Sequence, residues 1–163
     1  MANLPPIAQL AHVTTSLERA MEDMGRAMGI REWMQMRDST VSIGPGRSAQ
    51  IHVALAYKGD LMLELIQPLG GDDAVYREPL GGADYAIRQH HVARIFETDQ
   101  QFDAEMDRLR AAGVRFPIDP VLSEMSGRAR MNYADLRAEL GYYVENLLFS
   151  AAGSEWLKTI PRS

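Results

Sequence analysis

The chain contains no cysteine among its 163 residues. Disulfides, thiolate ligands and a cysteine nucleophile are therefore excluded, and any metal must be held by nitrogen and oxygen donors. No apolar run approaches the roughly 20 residues of a membrane-spanning helix. The first residues, Met-Ala-Asn-Leu-Pro-Pro, also lack the basic segment followed by an apolar one that marks a secretion signal. We therefore expect a cytoplasmic protein.

Clusters of like charge are lacking as well. The net charge is −5, and the lysines and arginines are scattered along the chain, so there is no electrostatic footprint for nucleic acid or an anionic membrane. A hydrophobic content of 46% is ordinary for a globular protein, and the length suits one domain. These features predict a soluble protein that acts on a small molecule, with neither nucleic acid nor membrane as a partner.

Periodicity and capping signals in the first half predict one strand, one helix and then three strands. The helix begins at Thr15 or Ser16, which are suitable N-cap residues, and ends at Gly29. A Gly-, Ser- and Pro-rich stretch predicts a loop between the second and third strands. The expected segments are strand 7–15, helix to residue 28, strand 33–36, loop 38–48, and strands 50–57 and 61–67.

The same order of segments recurs in the second half, after a linker at 68–88 that contains four glycines and two prolines. Thr98 or Asp99 caps the second helix, which ends at Ala111-Ala112-Gly113. The expected segments are strand 91–97, this helix, strands 114–117, 130–134 and 141–149, and a short helix near 154–158. The sequence thus predicts an α+β protein of two βαβββ modules, at about 7–67 and 89–149, in a single domain over 1–149 with a tail at 150–163.

Four polar residues interrupt apolar strands at matching places in the two halves. His12 precedes Glu64 by 64 − 12 = 52 positions, and His91 precedes Glu145 by 145 − 91 = 54. Strand alternation places each of them on a face with otherwise mostly apolar neighbours. A buried, ionised glutamate is costly unless it is paired or bound to a metal. We therefore predict that the four side chains converge on a divalent metal ion between the modules.

Several short runs, in this order and spacing, resemble the vicinal oxygen chelate superfamily over residues 7 to 149. The runs are Ala11-His12-Val13, Glu64-Leu65-Ile66-Gln67-Pro68, His90-His91-Val92-Ala93 and Tyr143-Val144-Glu145-Asn146. This superfamily includes glyoxalase I, methylmalonyl-CoA epimerase, extradiol dioxygenases, fosfomycin-resistance enzymes and metal-free bleomycin-binding proteins. The resemblance implies paired modules in a curved, mostly antiparallel half-barrel around a metal cavity. It also implies the metal ligands His12, Glu64, His91 and Glu145.

Within the superfamily, the chain looks most like the epimerase branch. The double histidine at 90–91 and the run Glu64-Leu65-Ile66-Gln67-Pro68 followed by Tyr76-Arg77-Glu78-Pro79-Leu80 carry this likeness. The epimerases generally have Gln where this chain has Glu64, whereas bacterial glyoxalase I has Glu. The epimerases also place a carboxylate base in the third strand, where His52 matches. His90 should point away from the His91 face and be structural.

Two imidazoles and two carboxylates suit Ni, Co, Mn, Fe or Zn with open coordination positions. In the superfamily these positions accept adjacent substrate oxygens, and the metal stabilises an enolate as a proton leaves the neighbouring carbon. The resemblance therefore implies a metal-dependent, epimerase-like isomerase with His52, or Glu145 if it leaves the metal, as the base. A carbonyl compound such as an acyl-CoA would be the substrate, and members often form homodimers.

Three other functions remain open. A glyoxalase I-like lyase would need glutathione, for which no sequence feature identifies a site. A ring-cleaving dioxygenase would use two histidines and one carboxylate with iron, and a fourth protein ligand would compete with oxygen. A metal-free binding protein would usually have lost the ligands. Arg128 and Arg130 could meet an anionic substrate group, although a solvated strand end is the favoured account of both.

Overall fold

The computed structural model describes residues 4–118 and 127–163. The strands are β1 (Ile7–Thr14), β2 (Met34–Gly44), β3 (Arg47–Lys58), β4 (Leu61–Gly71), β5 (Ile87–Phe96), β6 (Ala129–Asp135) and β7 (Tyr143–Phe149). The helices are α1 (Leu17–Met28), α2 (Ala74–Arg77), α3 (Asp99–Ala111), α4 (Arg137–Leu140) and α5 (Ala151–Leu157), with a 3-10 turn at Glu78–Leu80. No helix in these ranges is long and apolar enough to cross a membrane.

The strands form one curled, half-barrel sheet in the order β2-β3-β4-β1-β5-β7-β6, which confirms the predicted α+β fold. The pairs β1/β4 and β5/β7 are parallel, and the other neighbours are antiparallel. The two halves join along β1 and β5. The four strands at the centre of the sheet are therefore β4, β1, β5 and β7, two from each half.

The two longer helices cover the outer face of the sheet. On α1, Leu17 packs with Ala54 and Leu65, and on α3, Phe102 packs with Val144. The predicted caps hold: Ser16 accepts from the backbone of Arg19 at the start of α1, and Gly29 ends that helix with φ 69°. Thr98 caps α3 in the same way. Since the helices occupy the outer face, the inner, concave face is left to a separate core and a cavity.

The loop expected at 38–48 is wrong, because β2 runs through most of it to Gly44. Val41 packs against the inner core and Ile43 is part of it, so alternation outweighs the loop-forming composition. Asp38, with φ 49°, lies at an irregularity in the pairing with β3. The turn to β3 is therefore much shorter than the sequence suggests.

The strand expected at 114–117 is also not formed. This segment follows β6 only through a hydrogen bond from Asp135 to the carbonyl of Arg115 and a single bridge between Ile118 and Tyr133. Pro117 has no N–H to donate, which prevents a continuous ladder there. Within the described residues, the second half is βαββ rather than βαβββ.

Candidate metal centre

Polar side chains from the four central strands meet on the concave face of the sheet. They are Gln9 of β1, Glu64 of β4, His91 of β5 and Glu145 of β7. His91 Nε2 lies 3.2 Å from an oxygen of Glu64 and 3.2 Å from an oxygen of Glu145. Potential ligand atoms of these three residues all lie within 4.8 Å of one another. The geometry is that of three donors around one point.

Gln9 completes this group. Its Nε2 donates to Glu64 over 2.5 Å and lies 3.4 Å from His91 Nε2. Because the two ends of a side-chain amide are nearly interchangeable in position, Gln9 can present its oxygen instead and act as a fourth donor. Gln9 is buried, with an exposed fraction of 3%.

The strand registers explain why these residues meet. In β1, Ala11 pairs with Glu64 on one side and with His91 on the other. Paired residues share a face of the sheet, and so do residues two apart along a strand. Gln9 and Val13 therefore lie on the same face as Glu64 and His91, and Val13 belongs to the inner core.

A cavity of about 280 Å³ opens beside the two glutamates. Most of its wall is apolar, including Met36, Val41, Ile51 and Met131. Its polar lining residues are Glu64, Glu145, Tyr76, Tyr133, Ser39, Thr40 and Arg128. This volume and mixture suit a small organic molecule whose polar end meets the carboxylates.

The carboxylates control the ionisation of His91. Burial alone lowers the pKa of His91, but the charges and hydrogen bonds of Glu145 and Glu64 outweigh it and raise that pKa to about 9. Burial also raises the pKa of Glu145, against the opposing effect of His91. Without another cation, an imidazolium is the counter-ion of this acidic site. A divalent cation would take over that role.

Two tyrosines beside the carboxylates remain neutral. Burial raises the pKa of both Tyr76 and Tyr133 well above the usual value for a phenol, and the two rings meet edge to face. Tyr76 belongs to α2, inside the segment that the sequence analysis treated as a linker. That short helix was missed because four residues are too few for a periodic signal.

His12 does not join the cluster, which corrects the expectation from the sequence. It pairs with Leu65, which packs under α1 on the outer face, whereas its neighbours Ala11 and Val13 face inward. Burial lowers the pKa of His12, and its Nδ1 makes no hydrogen bond within the described residues. The equivalent inward position belongs to Gln9.

His52 also lies away from the cluster. Its neighbours Ile51 and Val53 belong to the inner core and line the cavity, so His52 points to the opposite face. Its Nδ1 accepts a hydrogen bond of 3.0 Å from the backbone of Asp38. A base at this position could not reach a substrate in the cavity.

The sequence predicted that His90 points away from the face of His91, but in the structure it faces inward together with His91. The imidazoles touch, with their Nδ1 atoms 2.8 Å apart, and the His90 ring is surrounded by Tyr76, Tyr133 and Tyr143. Burial and the neighbouring His91 lower the pKa of His90 to about 3.

The two arginines that could meet an anionic substrate group differ in position. Arg128 lines the cavity, and Arg130 pairs with acidic residues of α3.

The metal-free protein should lose stability as the pH rises. The pKa of His91 is higher in the folded protein, at about 9, than its ordinary value of 6.5. Its stabilising contribution is therefore full below about pH 6.5 and lost as the pH passes 9. The raised pKa of Glu145 acts in the same direction, beginning above the ordinary value of 4.5. Denaturant unfolding of chelator-treated protein should show a loss on the order of 3 kcal/mol between pH 6.5 and 9.5.

The His91→Gln variant is the control for this pH effect, because it removes the imidazole while keeping a side chain that forms hydrogen bonds. Its unfolding free energy should vary much less over this range. An equal pH dependence in both proteins would assign the effect to other groups.

A sequence profile of the Glyoxalase/Bleomycin resistance protein/Dioxygenase superfamily matches residues 8–128. The chain therefore belongs to this superfamily, in agreement with the resemblance stated from the sequence. Among curated protein sequences, no relative matches the chain.

Solved structures of methylmalonyl-CoA epimerases share the fold. The enzyme from Mycobacterium tuberculosis is 15% identical with a TM-score of 0.63, covering 95% of each chain. A variant of the Streptomyces coelicolor enzyme in complex with 2-nitronate-propionyl-CoA is 18% identical with a TM-score of 0.61, covering 91% of this chain and 100% of that one. An epimerase in complex with methylmalonyl-CoA and NH4+ is 17% identical with a TM-score of 0.61, covering 91% and 97% of the two chains.

Proposed function

We propose that this protein is a metal-dependent enzyme that moves a proton at a carbon next to a carbonyl group, as an epimerase-like isomerase. The observation that carries the proposal is the convergence of Glu64, His91 and Glu145, whose two carboxylates line a small cavity. Membership of the superfamily supports it, because such chemistry occurs there, and the epimerase fold likeness makes a short acyl-CoA the first substrate to test.

The donor set fits a divalent metal. Two carboxylates and one imidazole, with the amide oxygen of Gln9 as a fourth donor, suit Ni, Co, Mn, Fe or Zn and leave positions for other ligands. The like charges of half-buried Glu64 and buried Glu145 also call for a compensating cation. A bound metal supplies a Lewis acid that polarises a carbonyl oxygen and stabilises negative charge as it develops.

The protein's own groups would handle the proton. Glu145 is the proposed base because it lines the cavity beside the cluster, whereas His52 and His12 lie on the other face. Glu64 comes from the opposite half of the sheet and also lines the cavity, so in its protonated form it would return a proton from another direction while Glu145 keeps the proton it removed. Neutral Tyr76 and Tyr133 supply hydroxyl groups, and the apolar walls exclude water.

Arg128 favours a substrate with an anionic group. Among the described residues that line this cavity, Arg128 is the one with a positively charged side chain. Within the described residues it has no carboxylate partner, and its guanidinium lies over the ring of Trp156. The carboxylate of a dicarboxylic acyl thioester would neutralise this charge. This reasoning supports methylmalonyl-CoA as the first compound to assay.

A glyoxalase-like lyase is the second candidate, and Glu64 is the residue that favours it. The epimerases generally have glutamine at this position, whereas bacterial glyoxalase I has glutamate. Both reactions remove a proton next to a carbonyl, so the same base and metal would serve either one. A dioxygenase fits less well, because one imidazole rather than two offers a nitrogen to the cluster. A metal-free binding protein would not need two carboxylates in contact with that imidazole.

Deuterium incorporation tests the proposed reaction. Methylmalonyl-CoA would be incubated in heavy water with metal-loaded protein, with chelator-treated protein, and with neither, and the alpha carbon followed by mass spectrometry. Exchange that depends on both protein and metal supports the epimerase proposal. If methylmalonyl-CoA does not exchange but the hemithioacetal of methylglyoxal and glutathione is converted, the lyase is correct instead. If metal is bound but neither compound reacts, proton transfer on these substrates is excluded.

A further inference from the structure

His90 faces the metal cluster because β5 contains an extra residue. Ala11 of β1 lies opposite His91, and the next residue, His12, lies opposite Gln89, so His90 has no partner on β1. Such a bulge turns a side chain away from strict alternation. His90 and His91 therefore point to the same side although they are adjacent.

The hydrogen bonds of His90 define where its proton lies. Its Nε2 is 2.9 Å from the carbonyl oxygen of Val75 in α2. A carbonyl can only accept, so His90 Nε2 must carry a hydrogen. Its other nitrogen, Nδ1, lies 2.8 Å from Nδ1 of His91, and one hydrogen must be shared between these two atoms.

The surroundings of His90 decide which ring owns that hydrogen. The ring is 1% exposed and is enclosed by the rings of Tyr76, Tyr133 and Tyr143. No carboxylate forms an ion pair with it in the described part of the chain. A second proton on His90 would thus be a buried, unpaired charge, which is costly. His90 Nδ1 is therefore the acceptor, and the hydrogen belongs to His91 Nδ1.

We propose that His90 is a positioning residue that holds His91 with its proton on Nδ1 and its Nε2 directed at Gln9, Glu64 and Glu145. The carbonyl of Val75 fixes the orientation of His90 by accepting a hydrogen bond from its Nε2. When a metal is bound, His91 Nε2 must be its lone-pair donor, and the partner on the other nitrogen fixes the tautomer and the ring orientation. The metal-binding part of this proposal rests on the proposed function, whereas the proton positions do not.

Nuclear magnetic resonance of the unmodified protein tests the proton positions directly. Histidine-labelled, chelator-treated protein at pH 7.5 is expected to show His90 with a hydrogen on Nε2 and a bare Nδ1 in long-range proton–nitrogen spectra. In Zn²⁺-loaded protein, His91 should carry its hydrogen on Nδ1. A protonated His90 Nδ1 in the metal-free protein overturns the proposal, whether or not the protein binds metal.

Two variants of the same shape test the consequence for metal. His90→Leu removes the acceptor, and His90→Asn places an amide oxygen near the position of Nδ1, while both lose the imidazole ring. Zn²⁺ affinity, measured by competition with a chromophoric chelator, is expected to fall about 10–100-fold in the leucine variant and less than about threefold in the asparagine variant. Equal losses would show that the ring acts only through packing. If neither variant folds, the spectra of the unmodified protein decide.

Discussion

Replacement of His91 by alanine is expected to weaken divalent-metal binding by at least ~100-fold, because it removes the nitrogen donor between the two glutamates. The carboxylates of half-buried Glu64 and buried Glu145 would then be like charges with no cation between them. Isothermal titration of the chelator-treated variant with Zn²⁺ and Ni²⁺ measures this loss. A metal affinity unchanged from that of the unmodified protein would contradict the proposed centre.

His12→Ala is the matched control for the His91 variant. It removes the same side chain from an adjacent strand, but from the outer face of the sheet. Its metal affinity should stay within about threefold of that of the unmodified protein, because His12 is not a ligand in this structure and the loss of a ligand would weaken binding far more. If His12→Ala loses metal as strongly as His91→Ala, His12 is a ligand as the sequence predicted, and the placement of Gln9 in that role is wrong.

The second large effect is expected from Glu145→Gln. The amide keeps the size of the side chain and an oxygen donor but cannot accept a proton from carbon at neutral pH. Loss of a positioned base should slow metal-dependent deuterium exchange into methylmalonyl-CoA by about 10²–10⁴-fold. Metal content should be measured on the same sample, so that a loss of the base is separated from a loss of metal.

His52→Ala is the control for the base assignment. Because His52 points away from the cavity and binds the backbone of Asp38, its removal should leave the exchange rate within about twofold. A large loss in this variant, with unchanged exchange in Glu145→Gln, would reverse the roles of the two residues.

Much of the fold could be predicted because its signals are local. The helix caps at Ser16 and Thr98 and the alternation of the central strands are properties of short segments. The failures came where composition and tertiary contacts disagree. At 38–48, inward-facing Val41 and Ile43 outweighed a loop-like composition, and at 114–117 a proline prevented a ladder.

Only part of the site could be predicted, because histidine is a common metal ligand and glutamine is not. Glu64, His91 and Glu145 meet as the sequence suggested, but the first-half partner is Gln9 rather than His12. A signal for Gln9 was present: its separation from Glu64 is 64 − 9 = 55, nearer to the 54 of the second half than the 52 of His12. Gln9 shares the inward face of β1 with Ala11 and Val13, and that face carries the site.

The inward position of His90 could not be predicted from alternation. An extra residue in β5 reverses which face of the sheet the side chains before it point to, relative to strict alternation. Nothing in the local sequence marks the position of this bulge. The acceptor for His90 comes from α2, a four-residue helix in a segment read as a linker. Only the assembled structure brings that carbonyl to the histidine.

The metal content of protein produced without a polyhistidine tag tests the central claim most directly. After supplementation with Ni, Co, Mn, Fe or Zn and removal of free ions, elemental analysis should find about one equivalent of one of these metals per chain, lost on chelation and in His91→Ala. Less than about 0.2 equivalents of every metal would contradict the account, since the two glutamates of the cluster would then be balanced by His91 alone.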